Sequence, residues 1–311
     1  MFFNHPETSP LNADAPLVYL LGLNDKSLFL TARLQDAGAN AVILTSPNQI
    51  SELAAKELVV KEDRLLQRKK HSLHTDFALR HDFDLLIITS SSSSLKSDLT
   101  LLSPAKLQNA LILNLSLLET PSLLTDIIRT PVVNGYLQCF VEYDPKPQLN
   151  ILGRNQSLTV SCTDEHPLAA FLSHWLRPDD TEIIASPDDN YNFWYYFIPY
   201  AAAALISSSL NKPIYTVAKD EQGRKLIDSC LKELLAIASA HKVTINHADM
   251  LKKIYNIPAD YIFPLQRDTR NGTFSELNTI SSLLLQNSDF KNFKISVLRG
   301  IFKQIYDKTL A

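Results

Sequence analysis

Gly22, Asn24 and Ser27 stand at the spacing of a dinucleotide-binding loop, G-x-G-x-x-G, with only the first glycine in place. Such a loop needs glycine so that backbone can come close to a pyrophosphate lying at a helix N-terminus. Asn24 tolerates positive φ better than most residues, yet its side chain takes up the room the pyrophosphate requires. Further on, Thr89 to Ser94 set six hydroxyl residues in a row directly after an apolar run. Hydroxyls at the C-terminal end of a parallel strand could bind phosphate, or simply form a flexible polar loop; the residues leave both readings open. Lys61, Arg64, Arg68, Lys69 and Lys70 could meet an anion, but a solvated hairpin or loop is the preferred reading. His71-x-x-His74 lacks a well-spaced carboxylate, so no metal site is expected. No G-x-S-x-G, Walker A or C-x-x-C pattern occurs.

The elements that must position these residues open with a βαβ unit. Leu17 to Leu21 reads as a buried strand and Lys26 to Ala37 as an amphipathic helix. Gly38 sits where a C′ glycine belongs, and Ala41 to Leu44 forms a second strand. Ile50 to Leu58 predicts a short helix, and Phe83 to Ile88 a buried strand that empties into the hydroxyl run. Ser103 and Pro104 form an N-cap and N1 pair. Leu111 to Leu113 predicts a strand ending at Asn114. Val132 to Val141, Leu149 to Leu152 and Leu158 to Cys162 suggest antiparallel strands at a sheet edge. His166 to Leu176 predicts a helix and Glu182 to Ala185 a strand. Beyond Ser186 to Asn190 the pattern turns to helices only: 192–210, 220–241, 249–255, 275–286 and 294–306. The expected division is residues 1–187, an α/β Rossmann-type domain, and 188–311, all helical.

Composition narrows the class. The chain has 311 residues, 45% hydrophobic and 20% charged, with net charge −3, and so lacks the basic field a nucleic-acid binder needs. Three widely separated cysteines (Cys139, Cys162, Cys230) favour a reducing compartment. The polar, proline-bearing segment Met1 to Pro16 reads as a ragged terminus, and Phe193 to Ile206 is too short to span a bilayer. A cytoplasmic protein without membrane or nucleic-acid partners is expected. Only seven glycines occur, which leaves few places for close backbone approach to a phosphate.

Several stretches resemble ketopantoate reductases (2-dehydropantoate 2-reductases). GLNDKSLFLTARLQDAGANAVIL is similar to the family's first helix and second strand, FDLLIITS to the strand before its cofactor loop, and LNLSLLET to its QNG-type turn. ELLAIASAHKV and RDTRNGTFSELNTI resemble segments of the family's C-terminal half. The likeness spans nearly the whole chain. It implies a two-domain architecture of the 6-phosphogluconate-dehydrogenase kind, NADP as cofactor, and a ligand or partner held in an interdomain cleft; it also allows a homodimer.

Carried over position by position, the resemblance implies a depleted site. Gly22, Asn24 and Ser27 take the nucleotide-loop positions, Ser46 that of the basic residue reading the 2′-phosphate, and Ser91 that of a following lysine; Lys96 is close but out of register. Tyr196 replaces the catalytic lysine, Tyr200 and Ala204 two substrate-side asparagines, and Phe263 and Pro264 a serine pair. Asn114, Asp268 and Glu276 are retained. Reduction of a 2-keto acid needs a proton donor for the alkoxide and a cation beside the carboxylate. Lysine serves both; tyrosine is neutral at pH 7. Loss of a general acid costs on the order of 10² to 10⁴ in rate. Tyr196 could donate a proton, though an aromatic packed beside Trp194 and Phe197 is preferred. The expected function is therefore a ketopantoate reductase-like pseudoenzyme that binds a ligand or partner. The alternative is an active NADP-dependent reductase acting in pantothenate biosynthesis, with Tyr196, Glu276 and Asn114 catalytic and Tyr200 contacting substrate.

Overall fold

The computed structural model describes residues 14–52, 57–62, 68–79, 82–103, 106–107, 110–118, 124, 127–144, 148–176, 181–285 and 295–309. Arg64, Leu65, Leu66, Pro104 and residues 1–13 of the expected ragged terminus lie outside them. Contacts divide the chain into two compact units, Met1–Pro187 and Asp188–Ala311.

The first unit contains β1 (Leu17–Leu21), α1 (Asp25–Asp36), β2 (Asn40–Leu44), α2 (Pro47–Glu52), β3 (Glu57–Glu62), β4 (Arg68–Ser72), β5 (His74–Asp76) and β6 (Leu85–Ile88). It continues with α3 (Leu95–Asp98), β7 (Leu111–Asn114), β8 (Val133–Asp144), β9 (Gln148–Val160), α4 (Pro167–Trp175) and β10 (Thr181–Ala185). The strands join in the order β4-β3-β9-β8-β7-β6-β1-β2-β5, with β10 paired to β9. Strands β5, β2, β1, β6 and β7 run parallel, as a Rossmann-type half requires. Their apolar runs are explained by burial on both faces. Val18 and Leu20 enter one core with Phe29 and Leu168, while Tyr19 and Leu21 enter the other with Leu95 and Leu124.

Helix α1 stops where glycine permits a left-handed residue. Gly38 has φ +88°, its N–H donates to the Gln35 carbonyl, and the Ala39 N–H reaches the Leu34 carbonyl. This is a Schellman ending.

Two expectations need correction. The helix expected over 50–58 does not reach Leu58, because Glu57 and Leu58 already belong to β3. Leu58 and Val60 are buried in the sheet core, which outweighs the helical spacing. The segments 149–152 and 158–162 are not separate edge strands either. The first and most of the second lie in β9, flanked by β8 on one side and by β3 and β10 on the other. A bulge opposite Gln138 and Phe140, with Gly153 at φ +80°, lets one long strand bend without breaking.

The second unit contains α5 (Asp189–Leu210), α6 (Ile214–Lys219), α7 (Glu221–Ala240), α8 (His247–Tyr255), α9 (Pro264–Arg270), α10 (Ser275–Leu285) and α11 (Ser296–Thr309). Helix α5 is its axis, with Ala201 to Ile206 fully buried and α7, α8, α9 and α11 packed around it. Alanine at four successive positions lets these neighbours come close. The short helices α6 and α9 are additions to the expected set. No helix among the described residues is long and apolar enough to cross a membrane.

Candidate functional site

In the first unit, the C-terminal ends of β1, β2, β6 and β7 bring together Gly22, Asn24, Ser27, Ser46, Ser91 and Asn114. This is the end of an open parallel sheet at which ligands bind. Its loops, however, are stitched to one another. Gly22 has φ +97°, and a Cβ there would lie 2.8 Å from the Ser90 Cα. Glycine is thus required by the passage of the β6 loop, quite apart from any ligand. Ser90 Oγ donates to the Leu21 carbonyl at 3.1 Å, and Thr89 Oγ1 donates to the carbonyls of Leu21 and Gly22.

Asn24 is not a left-handed residue; its φ of −162° is extended, and it is the N-cap of α1. Its Oδ1 accepts from the backbone N–H groups of Lys26 (3.0 Å) and Ser27 (3.1 Å). Ser27 Oγ in turn accepts from the Asn24 N–H at 2.9 Å, which completes a capping box. The Asn24 amide also donates to the Thr89 carbonyl at 2.6 Å. Asp25 adds a carboxylate to the first turn, where it complements the helix dipole. Helix α1 therefore satisfies its own N-terminus, with amide oxygen, hydroxyl and carboxylate in the region a phosphate would take.

The other positions on this edge are engaged in the same way. Asn114 is 3% exposed; its oxygen accepts from the Ser116 N–H and its amide donates to Asn134 Oδ1, both at 3.0 Å. Lys26 Nζ donates to the Leu115 carbonyl at 3.1 Å. Ser46 precedes α2, and its hydroxyl accepts a long 3.4 Å bond from the Gln49 N–H. In the hydroxyl run, Thr89 and Ser90 are buried, while Ser91 bonds Ser93 (2.9 Å) and Ser94 (3.2 Å) on the surface. Its carbonyl also accepts from the Ser94 and Leu95 N–H groups, so Ser91 starts the turn into α3. Lys96 is exposed on that helix.

The second unit holds Tyr196, Tyr200 and Glu276. Tyr200 OH donates to Glu276 Oε1 in the first turn of α10. Burial, and then the facing Glu276 carboxylate, push this phenol well above its ordinary value. Its ring meets Phe263 edge-on at 5.7 Å. The two residues assigned to substrate are thus each other's partner. Burial raises the half-buried Asp268 carboxyl, against the pull of Arg267. Ala204 is fully buried, and Phe263 and Pro264 offer no hydroxyl.

Tyr196 is half-buried and forms a T-shaped pair with Tyr195 at 5.3 Å, whereas Trp194 and Phe197 pack on each other and on Phe193. Over both tyrosines lies the ammonium of Lys253 from α8, 4.2 Å from the Tyr195 ring centroid and 4.6 Å from that of Tyr196. Burial pushes Lys253 down to about 8, with Asp249 pulling the other way. Sequence reasoning passed over Lys253 because Lys252-Lys253 looks like ordinary basic decoration of a helix C-terminus. Its partners lie 57 and 58 residues earlier, and only packing of α8 on α5 reveals them.

No family model matches the chain, and no curated protein matches it in sequence. Solved structures do. A PanE/ApbA family ketopantoate reductase from Ralstonia eutropha JMP134 superposes with TM-score 0.77 at 17% identity, over 95% of this chain and 100% of that one. A 2-dehydropantoate 2-reductase from Geobacter metallireducens GS-15 gives 0.78 at 14% identity, over 94% and 99%. The chain has the ketopantoate reductase fold. D-mandelate dehydrogenase, solved with NADH and anilino(oxo)acetate, shares it as well (TM-score 0.78, 13% identity, 94% and 98%).

A ketopantoate reductase fold raises the question whether these residues suit a nicotinamide dinucleotide. They do not suit it at the first helix. Two of the N–H groups that would meet the pyrophosphate are taken by Asn24, and Asp25 adds like charge. Next to Tyr196, where the resemblance implies a lysine on α5, the ammonium comes from α8 instead.

Proposed function

We propose that this protein is a diverged relative of the ketopantoate reductases that binds a small carboxylate ligand through its helical unit and does not reduce it. The observation that carries the reading is the closed N-terminus of α1: Asn24, Ser27 and Asp25 already supply what a pyrophosphate would supply. A side-chain cap is part of the fold's stability, so a dinucleotide would have to break it as well as bind. Serine at position 46, where the resemblance implies a basic residue, and the engagement of Asn114 with Asn134 and Ser116 support the same reading. Tyr200 and Glu276, locked to each other, support loss of the ancestral chemistry without loss of the scaffold.

The test is a titration of the purified protein with NADPH, followed by nicotinamide fluorescence and thermal shift. Neither signal is expected to change up to millimolar cofactor. Saturable binding together with NADPH-dependent turnover of ketopantoate would overturn the reading and establish an active reductase. In that case Tyr196→Phe should abolish turnover if the phenol donates the proton.

A further inference from the structure

We propose that Lys253, framed by Tyr195 and Tyr196, is the cation of a carboxylate-binding subsite on the helical unit. The inference rests on the carboxylate-ligand reading above and adds the residue that would recognise the charge. The geometry is specific. Lys253 sits in the last turn of α8, where a lysine could have extended into water; instead its ammonium lies over two aromatic faces of α5. Ring faces attract a cation and exclude water without neutralising its charge. A desolvated cation held in this way is worth far more to an incoming anion than a solvated one, because the local dielectric is lower.

The charged and titratable surroundings agree. Asp249, one turn earlier on α8, is an acidic group that favours the charged form of Lys253. From α5 come Tyr191, Tyr195 and Tyr196, with Tyr195 held above its ordinary value by burial first and then by these neighbours. At the other end of α8, Asp228 of α7 is occupied by Lys232 and by His247 at 3.1 Å. A half-buried ammonium lowered to about 8 stays largely protonated at neutral pH, and an anion beside it would raise its proton affinity. Binding at pH 8 should therefore draw protons from solution.

Isothermal titration with ketopantoate, in two buffers of different ionisation enthalpy at pH 8, tests both points; the uncharged lactone of the same acid is the control. Wild type should bind ketopantoate with proton uptake and ignore the lactone. Lys253→Met should weaken ketopantoate by about tenfold or more, and Lys253→Arg should keep most of the affinity. Equal affinity in Lys253→Met overturns the subsite while leaving the carboxylate reading intact. No binding of ketopantoate to wild type overturns both. If Lys253→Met fails to fold, Lys253→Gln takes its place, with the same loss expected and equal affinity overturning the subsite.

Discussion

At the scale of single residues, Gly22 separates structural need from inherited appearance. It is the one glycine of the nucleotide fingerprint that remains, yet its positive φ and its approach to Ser90 account for it without a cofactor. Gly22→Ala should cost about 2 kcal/mol or more, because a left-handed alanine and a backbone clash act together. Denaturant titration of wild type and variant checks this. Removing the Ser90 hydroxyl as well should recover little, since the alanine Cβ would still lie 2.8 Å from the Ser90 Cα, which is backbone and cannot swing away. Full recovery in Gly22→Ala/Ser90→Ala would mean that only the flexible hydroxyl was in the way. Asn24 teaches the complementary lesson. From sequence it is a lost glycine; in three dimensions it is a helix cap with three hydrogen bonds.

At the scale of elements, that cap can be measured. Asn24→Ala should lower stability by about 1 kcal/mol, as loss of a side-chain N-cap does. Asn24→Gly/Ser27→Gly should also destabilise α1 but free its first N–H groups, so NADPH affinity should rise above that of wild type; no change would mean that the cap is not what keeps the cofactor out. Elements built from uninterrupted apolar runs were legible from sequence: β1, β6 and β7 are buried on both faces, and their side chains leave no other choice. Helix α7 was legible for a different reason, the helical spacing that puts Ile227, Leu231, Leu234 and Ala238 on one buried face. Strand β4 was harder, because Arg68, Lys69 and Lys70 carry no apolar period and it is defined by pairing with β3. The site was less legible than the fold. The Tyr200–Glu276 contact spans 76 residues and the Lys253–Tyr196 contact 57, and neither spacing leaves a trace in local pattern.

At the scale of the whole molecule, the two units differ in how protons act on them, and the chain carries its own reporters. Its two tryptophans divide evenly, Trp175 in the first unit and Trp194 in the second. His71 and His74, both in the first unit, are held below the ordinary imidazole value by burial; for His71, Lys69 and Arg33 add to this while Asp36 opposes it. An unfolded chain takes up these protons as pH falls through about 6.5, and the folded unit does so only at lower pH. Their contribution to stability is thus fully present above that value and declines below it. Among the described residues of the second unit, the carboxyl groups held away from their ordinary range include those of Asp228 and Asp268. Asp228, whose carboxyl is lowered chiefly by Lys232, matters only as pH falls toward about 4, and the raised Asp268 favours the folded state on acidification. From pH 7 to pH 5, the thermal transition seen by Trp175 in a Trp194→Phe variant should therefore fall. The transition seen by Trp194 in a Trp175→Phe variant should hold or fall less. Replacing both histidines by glutamine should flatten the first curve even if it lowers its level. Equal slopes for the two reporters would show that the units unfold as one cooperative block, and an unchanged slope in the double histidine variant would place the acid sensitivity elsewhere.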